Sequence, residues 1–323
     1  MKILKLIAPL GLVTAFFFYS FLPVSLEKKT VEIPYGMSST DIAMYLYKEG
    51  VIRNPLSFLG IHMVKKGKLE AGEYEFDGLI FPWDVYRKIH YGLRKVYKIT
   101  VPEGSDIYDI ANILEMHSIC KAKDFLEYAL SPKTAERYGL NTFSMEGFLF
   151  PDTYFFSKNT HPLTVISVMY RNFLKKTESL REELKKSGMS LEEWVTIASL
   201  IEKETALKEE KPLISAVIRN RLKKGMRLQI DPTVIYAMKR KGIWDGKLLS
   251  KDLEIDDPYN TYLYFGLPPS PICNPGMDSL EYALYPAKVN YLYFVANGNG
   301  GHRFSSTYLE HLANVRAYRD GKR

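Results

Sequence analysis

Apolar residues recur along this chain in three patterns, and each marks a different kind of element. The first is an unbroken run. Leu6 to Leu26 is 21 residues without a charge, contains Phe16-Phe17-Phe18, and follows Lys2 and Lys5. That is long enough to cross a bilayer as a helix and too long for a typical signal-peptide core. It predicts a transmembrane anchor over residues 6–26 behind a cytoplasmic stub of residues 1–5; cleavage after Val13-Thr14-Ala15 is the minority reading. The two lysines would stay inside, which puts everything from Glu27 onward outside the cytoplasm, although Lys28 and Lys29 reduce the asymmetry.

The second pattern is alternation. Ala71-Gly-Glu-Tyr-Glu-Phe76 reads as a strand, and Pro82 to Tyr91 as a short helix with proline near its first turn. A self-similarity at an offset of 68 residues frames this region. Ile33-Pro34-x-Gly36 with Asp41-Ile42-Ala43 and Leu46 recurs as Val101-Pro102-x-Gly104 with Asp109-Ile110-Ala111 and Leu114, and Val51-Ile52 matches Ile119-Cys120. Each copy predicts a short strand, a Pro-x-Gly turn, an amphipathic helix and a second apolar step. Two copies are too few for a solenoid and fit a βα unit used twice.

The third pattern has the helical period and dominates from about His161 to Lys224. Ser190 and Glu193 form a capping box, and good helix formers predict a helix from there to about Glu210. At 100° per residue Trp194, Ile197, Ala198, Ile201 and Thr205 share one face, and Glu202 and Glu204 fall on opposite shoulders of it. Small neighbours (Ala198, Ser199, Thr205, Ala206) leave room for a ligand beside Glu202, whereas Glu204 has Lys208 four residues on, the spacing of a surface ion pair. The chain ends with a strand at Tyr291–Val295, a turn at Asn297–Gly301 and a helix from about Thr307 to Arg319. The fold class is α+β: an N-terminal transmembrane helix, a small α+β module over residues 30–97, and a mixed, mainly helical domain over residues 98–323.

Composition narrows the function. The 323 residues hold two domains and a sizeable core, and the net charge of +7 suits an anionic surface such as nucleic acid, phospholipid headgroups or a wall polymer. The charge is spread, with no RNA-recognition, zinc-finger or helix-turn-helix signature, which argues against nucleic acid. Six scattered histidines without His-Glu-x-x-His or Cys-x-x-Cys predict no metal site and no cofactor. Cys120 and Cys273 fit one disulfide or two unrelated thiols equally well.

Five loop-like segments set polar residues beside glycine and proline: Met145–Tyr154, Arg227–Thr233, Tyr259–Tyr262, Gly266–Ser270 with Asn274-Pro-Gly276, and Gly298–His302. Singly, each has a bland reading. Asp231-Pro232 can open a helix as N-cap and first residue, Glu146 can cap its turn, the Gly-Pro clusters can be plain turns, and the aromatics from Phe148 to Phe156 suit a core. Their combination is specific. The order Glu-Gly-x-x-x-Pro-Asp-Thr, Ala-Ser-x-Ile-Glu-Lys-Glu-Thr, Gln-x-Asp-Pro-Thr-Val-Ile-Tyr, Tyr-Asn-Thr-Tyr, Gly-Leu-Pro-Pro, Asn-Pro-Gly and Tyr-Phe-Val-Ala-x-Gly-x-Gly-Gly-His resembles the MltG/YceG-like family of membrane-anchored endolytic murein transglycosylases.

The resemblance covers nearly the whole chain and implies a LysM-like module at residues 30–97 and a catalytic domain at 98–323. It implies Glu202 as the catalytic acid; helix geometry alone leaves Glu204 open. It also implies Glu146, Gln229, Asp231, Thr233, Asn260, Thr261 and Tyr262 as groove-lining, substrate-binding residues. The partners it implies are peptidoglycan glycan strands, the bacterial inner membrane, with the catalytic domain on its external side, and peptidoglycan synthases. The reaction would cut the β-1,4 bond between N-acetylmuramic acid and N-acetylglucosamine, leaving a 1,6-anhydro end. One carboxyl group can act as acid and then base, provided that apolar neighbours (Trp194, Val195, Ala198, Ala206) keep it protonated. The rival enzyme is a lysozyme-like hydrolase using Asp231 or Asp152 as second carboxylate. The rival of another class is a non-catalytic wall-binding scaffold.

Overall fold

The structure, a computed structural model, describes residues 14–320. Its described chain divides into two compact units. The first runs to Lys98 and includes Phe155–Asn159; the second comprises Ile99–Tyr154 and the chain from Thr160 onward.

The first unit opens with a helix over residues 14–21 (α1), followed by β1 (Val24–Ile33), α2 (Ser39–Lys48), α3 (Pro55–Lys65), β2 (Gly72–Ile80) and α4 (Pro82–His90). β1 and β2 pair antiparallel, with Val31 opposite Tyr74 and Ile33 opposite Gly72, and a register shift between Leu26 and Lys29. Val31, Ile33, Tyr74 and Phe76 point inward from this hairpin, and Ile42, Leu46, Phe58, Val85 and Ile89 of the helices complete a fully dry core. Residues 6–13 of the anchor expected over residues 6–26, and all of the stub at 1–5, lie outside the described residues. Within them the far boundary differs: Pro23 disfavours helix at the residue before it, and Val24, Ser25 and Leu26 pair with Ile80, Leu79 and Gly78 as strand. Among the described residues no helix is long and apolar enough to cross a membrane.

The second unit contains α5 (Ile107–Met116), α6 (Ala122–Ala129), α7 (Pro132–Arg137), α8 (Pro162–Lys176), α9 (Arg181–Ser187), α10 (Leu191–Glu204), α11 (Lys211–Lys223), α12 (Asp231–Arg240), α13 (Met277–Leu284) and α14 (Tyr308–Asp320). Two further strand pairs are short: Tyr97–Thr100 with Thr153–Phe156, where the chain passes from one unit to the other, and Tyr293–Ala296 with His302–Ser305 within the second unit. The 68-residue repeat is a repeat of hydrogen bonds as well as of letters. Ser38 and Asp106 cap α2 and α5, Val51 N–H donates to the Leu46 carbonyl at 2.9 Å, and Ile119 N–H donates to the Leu114 carbonyl at 2.9 Å.

α10 is the pivot of the second unit, packed against α11, α12 and α13. The Ser190–Glu193 capping box forms, with both bonds at 3.0 Å, and the indole of the buried Trp194 donates to the Leu280 carbonyl at 2.7 Å. The helix stops at Glu204 instead of continuing to Glu210. Pro212 in the first turn of α11 would break any helix running through it, and Thr205 turns extended (φ −149°, ψ 139°) while its hydroxyl caps Leu207 N–H at 3.1 Å. The strand expected from Tyr291 begins at Tyr293, because the Asn220 amide binds the carbonyls of Val289 and Tyr291, each at 2.9 Å. Asp231 is the first residue of α12 and not its cap; Ile230 holds the extended position before it. Both cysteines are free thiols, and Cys273 donates to the Ser199 carbonyl.

Candidate active site

The end of α10 carries two carboxylates, and their surroundings are opposite in kind. Glu202 is nearly buried, with 9% of its side chain exposed, and three donors converge on its Oε2: Lys211 Nζ at 3.2 Å, Gly276 N–H at 3.1 Å and Ser279 Oγ at 2.5 Å. Gly276 caps α13, so this carboxylate also meets the positive end of a helix dipole. Three polar donors thus hold the Glu202 carboxylate. It ties α10, α11 and α13 together as an ionic knot. Glu103 on the same side is pushed up by burial and by the charge of Glu202.

Glu204 has no such donors. Burial first, and the charge of Asp231 second, push its pKa from 4.5 up to about 8, against the opposing pull of Arg221. The residue nonetheless keeps partial solvent access. The ion pair expected with Lys208 is absent; Lys208 binds Asp278 at 2.7 Å instead. A carboxyl held neutral with partial access to solvent is a proton donor waiting for an acceptor.

The polar motifs build a hydrogen-bonded frame around Asp231 and Tyr262. Gln229 sits exposed in a left-handed conformation, φ +50°, which costs a non-glycine residue about 1 kcal/mol and marks a constrained turn. Its N–H donates to the Thr261 carbonyl at 3.1 Å, and Ile230 N–H donates to Thr261 Oγ1 at 2.9 Å. The Thr233 and Thr261 hydroxyls meet at 2.9 Å, and Thr233 donates to the Ile230 carbonyl at 2.7 Å. Asn260 donates to the carbonyls of Leu253 and Ile255 at 2.9 and 2.8 Å and accepts from Tyr262 N–H at 2.9 Å. This frame aims the Tyr262 hydroxyl at Asp231, which it reaches at 2.5 Å; burial, then Asp231, raises the phenol's pKa.

The expected groove-lining set therefore divides. Gln229, Asp231 and Tyr262 reach solvent, the last two coupled electrostatically to Glu204, whereas Thr233, Asn260 and Thr261 are buried and spend their polar atoms on the frame. Glu146 lines no groove. It is wholly buried, accepting from Ile107 N–H, the Tyr236 hydroxyl and the Asn274 amide, each at 3.0 Å, and burial pushes its acid well above the ordinary range. Asn274 also donates to the Ser105 carbonyl and accepts from Leu149 N–H, both at 2.9 Å, so the Asn-Pro-Gly and Glu-Gly motifs lock together. Gly147 belongs to that lock: at φ +88° a Cβ would lie 2.5 Å from Pro271 and 2.7 Å from Val195. Asp152 is held by Asn172 at 3.0 Å and Lys176 at 3.1 Å, and these contacts lower its pKa.

Three contributors carried no readable signal in the sequence. Arg221 of α11 is buried, donates to the carbonyls of Leu228 and Leu292, both at 2.6 Å, and sets a positive charge behind Glu204. Glu210 accepts from Thr205 Oγ1 at 3.0 Å, His302 N–H at 2.6 Å and, at 2.7 Å, pairs with His302 Nδ1; this fastens the glycine-rich Asn297–Gly301 turn beside the end of α10. Lys211 supplies the cation of the Glu202 knot. The partners lie 5 to 92 residues away in sequence, and only folding introduces them.

The chain is similar to several known proteins. A protein of Bacillus subtilis (strain 168) named endolytic murein transglycosylase is 37% identical over 90% of this chain and 85% of its own length. One of the same name from Streptococcus pneumoniae (serotype 2, strain D39 / NCTC 7466) is 28% identical over 94% of this chain, which spans 61% of that relative's length. The crystal structure of a yceG-like protein from Listeria monocytogenes superposes with a TM-score of 0.63 at 36% identity, covering 90% of this chain and 99% of the other. With the family's sequence profile matching residues 31–317, the chain belongs to the YceG-like family.

Proposed function

We propose that this protein cleaves peptidoglycan strands as an endolytic murein transglycosylase, with Glu204, and not Glu202, as its acid and base. The names of the Bacillus and Streptococcus relatives support the reaction class. The observation that carries the assignment within the site is the contrast at the end of α10: one carboxylate locked by a lysine, the other pushed up to about 8 and partly open to solvent.

Glu204 enters the cycle protonated. It gives its proton to O4 of the departing N-acetylglucosamine as the bond from C1 of N-acetylmuramic acid breaks. The resulting carboxylate takes the proton of the muramic C6 hydroxyl, whose oxygen closes on C1, and the acid is restored with a 1,6-anhydro end on the product. An internal hydroxyl needs no water and no second carboxylate, and it starts with a large effective concentration once the sugar is held. Asp231 keeps the acid's proton affinity high and carries negative charge towards the developing oxocarbenium ion, while Tyr262 fixes its orientation.

A second reading rests on the same Asp231. Two carboxyl groups close enough to couple are also the equipment of a hydrolytic glycosidase, in which Asp231 would activate water or attack C1. Mass spectrometry of fragments released from isolated peptidoglycan separates the two. Anhydro-muramic ends support the transglycosylase; reducing ends with a mass 18 higher reject it.

A further inference from the structure

The first unit carries an apolar surface that its own core does not use. α3 buries Phe58 on one side, yet Leu56, Met63 and Val64, within about 100° of one another around the helix, are 61%, 73% and 80% exposed. Beside them Phe17 and Phe21 of α1, Val64 of α3 and Trp83 of α4 line an apolar groove. Side chains of this size each gain about 1.5–3 kcal/mol when removed from water, so leaving them exposed signals an occupant.

The rim is cationic. Lys65 lies with its ammonium 5.1 Å from the Trp83 ring centroid, Lys66 follows as the left-handed cap of α3, and neither forms an ion pair with a described residue. A tryptophan paired with lysine presents an apolar body and a wet, charged tip, the chemistry of a bilayer interface. The groove wall supplies the second argument. α1 is continuous in sequence with Leu6–Val13, which is uncharged, and its own Phe16, Phe17 and Phe18 are 51%, 60% and 66% exposed. Whatever medium receives that segment lies next to the groove.

We propose that the outer face of α3, with the groove between α1 and Trp83, seats the first unit on a phospholipid bilayer, where Lys65 and Lys66 meet anionic headgroups. The seat goes beyond the cleavage reaction and stands or falls separately from it. It would hold residues 24–98 against the membrane surface independently of any spanning segment.

The test uses the full chain reconstituted into vesicles whose acyl chains are brominated or plain, made from zwitterionic lipid with or without phosphatidylglycerol. The tryptophans are Trp83, Trp194 and Trp244, so the difference between wild type and Trp83→Phe isolates the emission of Trp83. The expected result is quenching of that component by bromine, lost in Trp83→Phe, and reduced in phosphatidylglycerol vesicles by Lys65→Glu with Lys66→Glu. Trp83 emission equal in brominated and plain vesicles overturns the proposal. So does protection of Trp83 from acrylamide without quenching by bromine, which means a protein covers the face; if that protection grows with the protein-to-lipid ratio, the cover is a second copy.

Discussion

Replacing each glutamate of the α10 terminus by glutamine separates their roles, because the two substitutions move stability in opposite directions. Burial and Asp231 raise the Glu204 carboxyl from 4.5 to about 8. Below about pH 4.5 the folded and unfolded chains are both protonated at this group, and it costs nothing. As pH rises, the unfolded chain releases the proton first and gains relative stability, and the penalty on the fold grows until pH passes about 8. At pH 7 it amounts to about 3 kcal/mol, an upper bound because the group keeps solvent access. Glu204→Gln removes that titration. The variant should melt several degrees higher at pH 8, since about 1 kcal/mol moves a unit of this size by roughly 2–4 °C, and should release no product. Glu202→Gln instead leaves the Lys211 ammonium, 5% exposed, without its counter-charge, at a cost of about 2–4 kcal/mol, while the folded fraction still cleaves. Thermal melts at pH 5 and pH 8, with mass spectrometry of digests below the lower melting point, measure both. A folded Glu204→Gln that releases fragments at the wild-type rate, or an inactive and fully stable Glu202→Gln, would refute the assignment.

Because Glu204 must arrive protonated, kcat/KM should fall as pH rises through about 8, and an activity that climbs steadily to pH 9 contradicts this. Tyr262→Phe removes the hydroxyl that holds Asp231 at 2.5 Å; activity should drop about tenfold with a stability loss of about 1 kcal/mol, and unchanged activity dismisses the contact. Gly147→Ala meets both a left-handed φ and crowding by Pro271 and Val195, so urea unfolding should register a loss of roughly 3 kcal/mol; a loss below a third of that would mean the lock yields. Glu146→Gln removes a buried acid whose pKa is raised by folding, so the loss of stability as pH rises above about 4.5 should flatten, and an unchanged slope would dismiss the raised acid.

Local pattern by itself determined the elements whose signals are contained in a few neighbouring residues. The capping box at Ser190, the β2 alternation, α4 behind its proline and the 68-residue repeat all follow from short-range sterics and hydrogen bonding, and the repeat persists down to matching bonds after Leu46 and Leu114. α3 had a legible start in Asn54-Pro55, where the Asn54 side chain accepts from Leu56 N–H, but its apolar residues encircle the helix and blur the period. The motifs as a set marked the segments that fold into one polar frame, with Thr261 bonded to the Gln229–Thr233 segment. The difference between the two carboxylates of Glu-Lys-Glu was a tertiary decision. Periodicity places Glu202 and Glu204 symmetrically, and only long-range partners distinguish them: Lys211, Gly276 and Ser279 converge on one, Asp231 and Arg221 on the other. The same holds for Glu146, Asn260 and Thr261, whose polar letters suggest ligand contact until folding commits their atoms to backbone groups and neighbouring side chains. Charge and burial are properties of the assembled neighbourhood, and no spacing along the chain encodes them.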